Sequence, residues 1–193
     1  MVINRRLRAF IAVTLSEEVL EGLKIGQDAI RETGVVAGFP RISSIHLTLK
    51  FLGEISQDQV SRIREKLEER ISFFEPFFLK IKGLGAFPSV SRPKVVWAGL
   101  ELNDHLVRLH GDVEYAMQEI GFESEDRKFS PHITLARIKC PGNAYLLEAV
   151  LRKMEGFDMG ISPVQSVLLY ESILKPDGAV HKVLAEIDSG NWK

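Results

Sequence analysis

Hydrophobic residues recur along this chain with two different periods. Val60, Ile63, Leu67 and Ile71 are spaced by three and four, which predicts a helix with one buried face. Arg62, Arg64, Glu65, Lys66, Glu68, Glu69 and Arg70 fill the other positions, a mixed-charge solvated face. Ser56 followed by Gln59 places a capping box at its start. Leu106, His110, Val113, Met117 and Ile120 predict a comparable helix, capped by Asn103 and ended by Gly121. Ser16, with Glu17 and Glu18 behind it, opens a helix that runs to Gly34, and Asn143 opens a short one to Met154. Segments 7–15, 44–52, 77–82, 94–100, 131–138, 165–170 and 179–187 read as strands, the last two joined by the turn sequence KPDG. VVAGFPRISS and GLGAFPSVSRP read as loops, and the second lacks the spacing of a phosphate-cradling motif.

The expected order is β-α-β-α-β followed by β-α-β-α-β-β. This predicts an α/β (α+β) fold in one domain, residues 1–193, made of two duplicated lobes. With 193 residues the chain can bury a core without staples. A net charge of −1 argues against a wide electrostatic footprint for long nucleic acid, but leaves room for a small anionic ligand. Cys140 is the one cysteine, so the chain forms no internal disulfide; this suits a reducing cytoplasm, with Cys140 in a packing role. Arg5, Arg6 and Arg8 precede a short apolar run that suits a first strand better than a signal segment. No apolar run approaches the roughly 18 residues of a membrane helix.

Two strands carry the same polar pair. His46-Leu47-Thr48-Leu49 and His132-Ile133-Thr134-Leu135 each place a histidine and a threonine two residues apart. Residues two apart in a strand share a face, about 6.5 Å from each other. His46 and Thr48 therefore point away from Ile45, Leu47 and Leu49, and His132 and Thr134 away from Ile133 and Leu135. Brought together, the strands offer two imidazoles and two hydroxyls to one space. A neutral imidazole takes a proton from water, and a protonated one gives a proton to a departing oxygen. Threonine hydroxyls donate to phosphate oxygens. The scheme needs no metal, and no HExxH or DxD cluster lies near the motifs.

With these motifs go RLRAFIAVTL, GAFPSVSRPKVVWAGL, FSPHITLARI and ESILKPDGAVHKVL, spread from end to end. Together they resemble the 2H phosphoesterase superfamily, and most closely its RNA 2′,3′-cyclic phosphodiesterase branch, once called 2′-5′ RNA ligases. The resemblance implies two pseudo-symmetric lobes, each an antiparallel-rich sheet with helices on its outer face, and an active-site cleft between them. It implies hydrolysis of RNA or nucleoside 2′,3′-cyclic phosphates to 2′-phosphates, without cofactor or metal. His46 would be the general acid, His132 the general base, and Thr48 and Thr134 the phosphate ligands. The near-symmetry of the motifs does not itself decide which histidine is acid and which is base. The partners expected are RNA ends or small cyclic nucleotides met by a monomer, with no membrane. A ligase acting in reverse and a nucleotide-binding module without catalysis are the alternatives.

Phe51 and Arg137 each stand five residues after a motif histidine. Strict alternation points both away from the site; a bulge at the strand end turns them inward, where a ring and a guanidinium suit base stacking. Lys50 is expected on the His46 face and Trp97 in the core. His181 occupies a strand position where the family has tyrosine, and is expected to pack with Val183, Ala185 and Ile187. His105 and His110, five apart on a helix, do not share a face.

Overall fold

The computed structural model describes residues 5–125, 128–140, 142, 144–175 and 178–190. Nine strands and four helices follow in the order β1 (Leu7–Val13), α1 (Glu17–Glu32), β2 (Val36–Gly38), β3 (Leu47–Ile55), α2 (Gln57–Ile71), β4 (Phe77–Phe87), β5 (Val95–Leu100), α3 (Asp104–Glu119), β6 (Ile133–Cys140), α4 (Ala144–Lys153), β7 (Asp158–Val164), β8 (Ser166–Lys175) and β9 (Gly178–Asp188). The helix signals act as expected. Ser16, Ser56 and Asn103 accept from the first turns of α1, α2 and α3, and Ser56 and Gln59 form a reciprocal capping box. The Asn143 helix start and the centre of the KPDG turn lie outside the described residues.

Two antiparallel sheets hold the strands, in the orders β3-β1-β8-β9 and β2-β6-β5-β4-β7. The first combines strands from both ends of the chain, so the sheets interleave rather than follow the order of the sequence. The His46 motif leads into β3 of the first sheet and the His132 motif into β6 of the second. Helices α2 and α3 pack against the first sheet, and α1 and α4 against the second. Their buried stripes supply the core: Val19, Leu23 and Ile30 from α1, Ile63, Leu67 and Ile71 from α2, and Leu106, Leu109, Val113 and Met117 from α3. Each such side chain contributes about 1.5–3 kcal/mol through removal from water.

Two strands escape the sequence pattern. β2 has only three residues, and β7 contains Gly160 and Pro163, which read as breakers. Proline is tolerated in β7 because it is an edge strand, paired with β4 alone. β4 also runs on to Phe87, through glycines that look like loop residues. A side chain at Gly85 would lie 2.2 Å from the Trp97 ring. Glycine there lets the indole lie flat on the strand.

Among the described residues the most deeply buried charged side chain is Lys50, 2% exposed. Its ammonium donates to both carboxylate oxygens of Glu114 on α3 at 2.8 Å and to the Glu123 carbonyl at 2.9 Å. All three donors are thus satisfied, which is what lets a charge stay buried. Lys50 therefore does not share the His46 face. The Lys50→Met variant takes the ammonium away from Glu114 and the Glu123 carbonyl and should lose about 3–5 kcal/mol in urea unfolding. Adding Glu114→Leu should recover most of that loss; a Lys50→Met protein as stable as the parent would contradict the account.

Candidate active site

Each motif histidine is held by one local bond. His46 Nδ1 lies 2.9 Å from the Ser44 carbonyl, and His132 Nδ1 lies 3.0 Å from the Ser130 carbonyl. A carbonyl oxygen only accepts, so Nδ1 carries the proton in both rings. Nε2 is then the bare nitrogen of each neutral ring, and no described residue occupies it. Each carbonyl lies two residues before its histidine, in the segment entering the strand. The serine two residues ahead of each motif was the available sequence sign, although its main chain does the work.

The strand registers decide what shares a face with the histidines. β1 pairs with β3 as Ala12↔Thr48, Ile11↔Lys50 and Phe10↔Phe51, which leaves Leu49 as an extra, bulged residue. Directly paired residues share a face, and Ala12 and Phe10 are two apart. Thr48 and Phe51 therefore share a face although three residues apart, while Lys50 is turned with Ile11 into the core. The second motif repeats the device. β5 pairs with β6 as Trp97↔Thr134, Val96↔Ala136 and Val95↔Arg137, which leaves Leu135 extra. Thr134 and Arg137 thus share a face, with Trp97 beside the threonine. Phe51 is 61% exposed and Arg137 is exposed, with no ion pair among the described residues.

An aromatic cluster surrounds His46. Phe10 stacks on His46 at 4.6 Å between ring centroids and on Tyr170 at 5.3 Å, and Phe51 is 6.3 Å from Phe10. The His181 ring meets the His46 ring at 5.0 Å and 89°. On the other sheet, Phe87 meets His132 edge-on at 5.1 Å and Trp97 at 5.2 Å. Among the described residues no ring contact joins the two clusters. Thr48 and Thr134 are half-buried beside their histidines.

Several expectations change here. Trp97 is half-buried on the Thr134 face, not in the core. His181 parts company with Ala185 and Ile187, because β8 and β9 shift register between Leu169 and Tyr170 and leave Leu184 bulged. Past that bulge Ala185 and Ile187 turn into the core, whereas His181, opposite Ser172, joins Tyr170 and Phe10. Cys140 is exposed at the end of β6 rather than packed. Phe10, Tyr170 and Phe87 drew no attention in sequence because aromatic residues in strands read as ordinary β formers.

Burial sets the charge of the first cluster. It pushes His46 down to about 4, against the opposing pull of the Ser44 carbonyl and with help from His181. Burial also lowers His181, and raises Tyr170 together with the Glu186 carboxylate. Among the described residues no group of three or more His, Cys, Asp or Glu is placed to hold a metal ion.

Buried polar groups hold the segments that lead into the motifs. Gln27 on α1 donates to the Leu135 carbonyl in β6 at 3.0 Å and to the Pro40 carbonyl, ahead of His46, at 2.9 Å. Lys50 on β3 holds the Glu123 carbonyl, ahead of His132. His110 stacks on Phe129 at 3.7 Å, next to Ser130.

Two antiparallel sheets, each presenting an anchored histidine beside a threonine, define a two-lobed phosphoesterase fold of the LigT type. The family model described as LigT like Phosphoesterase matches residues 15–97 and 100–181, and the chain belongs to this family. It is 37% identical over 166 residues to the RNA 2′,3′-cyclic phosphodiesterase of Aeropyrum pernix, covering 86% of this chain and 93% of that protein. It is 33% identical over 184 residues to the protein of the same name from Thermotoga maritima, covering 93% of this chain and 94% of that one. The crystal structure of TT0787 from Thermus thermophilus superposes with a TM-score of 0.82 at 29% identity, over 96% of this chain and 100% of that one. Among the described residues no helix is long and apolar enough to cross a membrane.

The nitrogen resonances of the free protein test the electrostatics. His46 and His132 should both appear as Nδ1–H tautomers, and His46 should stay neutral until about pH 4. An unfolded His46 takes up its proton near 6.5, so the folded state loses stability as pH falls from about 6.5 to about 4. An Nε2–H tautomer, or a His46 midpoint near 6.5, would contradict this reading.

Proposed function

We propose that this protein hydrolyses RNA and nucleoside 2′,3′-cyclic phosphates to 2′-phosphomonoesters with its two motif histidines and no metal ion. The observation that carries the reading is the matched pair of Nδ1-anchored imidazoles, each with Nε2 unoccupied and a threonine hydroxyl on the same face. A module that only bound nucleotides would need neither proton donor nor acceptor in this form. The relatives' names support the substrate class.

In this mechanism His132 Nε2 takes a proton from water as the water oxygen attacks phosphorus. The P–O3′ bond breaks, and His46 gives its Nε2 proton to O3′. The product carries a 2′-phosphate and a free 3′-hydroxyl. Thr48 and Thr134 donate to the non-bridging oxygens, where negative charge grows. Phe51 and Arg137, both exposed on the site face, hold the base or the adjoining nucleotide by stacking. Both motifs lie in one chain, so one chain is the catalytic unit. The equivalent bulges and anchors in the two sheets support two duplicated lobes with one motif in each.

The free His46 is neutral above about pH 4, so the substrate must help to charge it. An anionic phosphate beside Nε2 favours the imidazolium and raises its pKa. The basic limb assigned to His46 should therefore lie at higher pH in kcat, which reports the complex, than in kcat/KM, which reports the free enzyme. Coincident limbs would remove His46 from the acid role.

Incubation with the four nucleoside 2′,3′-cyclic phosphates in excess chelator should yield 2′-phosphates at an undiminished rate. The His132→Ala variant should lose about 10²–10⁴-fold in rate. Full activity in His132→Ala, or a 3′-phosphate product, would overturn the mechanism.

A further inference from the structure

His181 has no part in the scheme above, yet it sits within the His46 cluster. It lies on β9 opposite Ser172, on the face that carries Tyr170 and Phe10. Its ring meets His46 at 5.0 Å, Phe10 at 4.9 Å and 83°, and Tyr170 at 6.1 Å. No other described histidine meets the ring of a motif histidine.

The two nitrogens of His181 are in different surroundings. Nδ1 is buried without a hydrogen-bond partner among the described residues. Nε2 is not among the buried unpartnered atoms and makes no hydrogen bond to a described residue. Nδ1 lacks a partner whether or not it carries the proton, so the two tautomers differ at Nε2, the nitrogen a ligand can reach. A phosphate oxygen only accepts, so beside a phosphate the proton sits on Nε2. This is the reverse of His46 and His132, whose Nδ1–H is tied to a carbonyl. The first sheet thus presents a bare nitrogen at His46 and, in the ring next to it, an N–H donor. Burial lowers the His181 pKa, so it adds a hydrogen bond beside His46 without a second full charge near neutrality.

We propose that His181 is a substrate-contacting residue whose Nε2–H donates to a non-bridging phosphate oxygen on the His46 side of phosphorus. The proposal rests on the cyclic-phosphate reading of the site. A neutral donor aimed at an oxygen that gains charge in the reaction stabilises the transition state more than the ground state. His181 would be the counterpart, on the acid side, of the threonine hydroxyls.

Three proteins test this: the parent, His181→Phe and His181→Gln. Phenylalanine keeps the ring against His46 and Phe10 and removes the donor. Glutamine places an amide N–H near the position of Nε2. Turnover of cytidine 2′,3′-cyclic phosphate should fall tenfold or more in kcat/KM for His181→Phe, with the larger share in kcat, and return to within about threefold of the parent in His181→Gln. Thermal midpoints are measured for all three, because a packing role would lower the midpoint of His181→Gln and leave His181→Phe active. Parent-like kcat/KM in His181→Phe overturns the proposal while the cyclic-phosphate reading stands. If the parent turns over no cyclic phosphate, that reading falls, and binding of inorganic phosphate by calorimetry decides the role of His181. Weaker binding in His181→Phe than in the parent and His181→Gln upholds the contact; equal binding, or none by the parent, overturns it.

Discussion

The site depends on one short bond made twice, from the Nδ1–H of a motif histidine to the main-chain carbonyl two residues before it. That bond fixes the tautomer, and so determines which nitrogen meets a substrate. It also ties each ring to the backbone of the segment entering its strand. Those segments are themselves held from the opposite lobe. Gln27, from the helix packed on the second sheet, holds the Pro40 carbonyl ahead of His46. Lys50, from the first sheet, holds the Glu123 carbonyl ahead of His132. Each lobe thus secures the lead-in to the other lobe's imidazole with a buried polar group whose N–H donors are all hydrogen-bonded.

Two bulges complete the arrangement. Leu49 and Leu135, each three residues after a motif histidine, are the first extra residues met along β3 and β6. An extra residue reverses the alternation beyond it. The histidine and threonine precede the reversal, and Phe51 and Arg137 follow it, so all of them reach the polar face of their sheet. The same reversal sends Lys50 to the core, where its charge braces α3 and the lead-in segment rather than the phosphate. A regular strand would place the ammonium beside His46 and bury the Phe51 ring.

This explains what was legible in the sequence. The spacing of His46 with Thr48 and of His132 with Thr134 needs only the two-residue repeat of a strand, and that repeat holds up to the bulge. The caps at Ser16, Ser56 and Asn103 are local, and each forms as its sequence predicts. Bulges are not local, because the extra residue exists only relative to a partner strand. Without a register, Lys50, His181 and Trp97 each fall on the wrong face or in the wrong layer. Strand β7 was hidden by Gly160 and by Pro163, and an edge position is what tolerates the proline. The aromatic cluster around His46 joins β1, β8 and β9, and strand order alone brings these together.

His46 and His132 are proposed to divide acid and base work on one phosphorus. The most direct measurement compares a nucleoside 2′,3′-cyclic phosphate with its analogue bearing sulfur in place of O3′. Thiolate leaves without a proton, so the analogue needs no general acid. His46→Ala should be severely impaired on the oxygen substrate and close to the parent on the sulfur substrate, while His132→Ala should be impaired on both. Equal impairment of His46→Ala on both substrates, or rescue of His132→Ala instead, would contradict the claim.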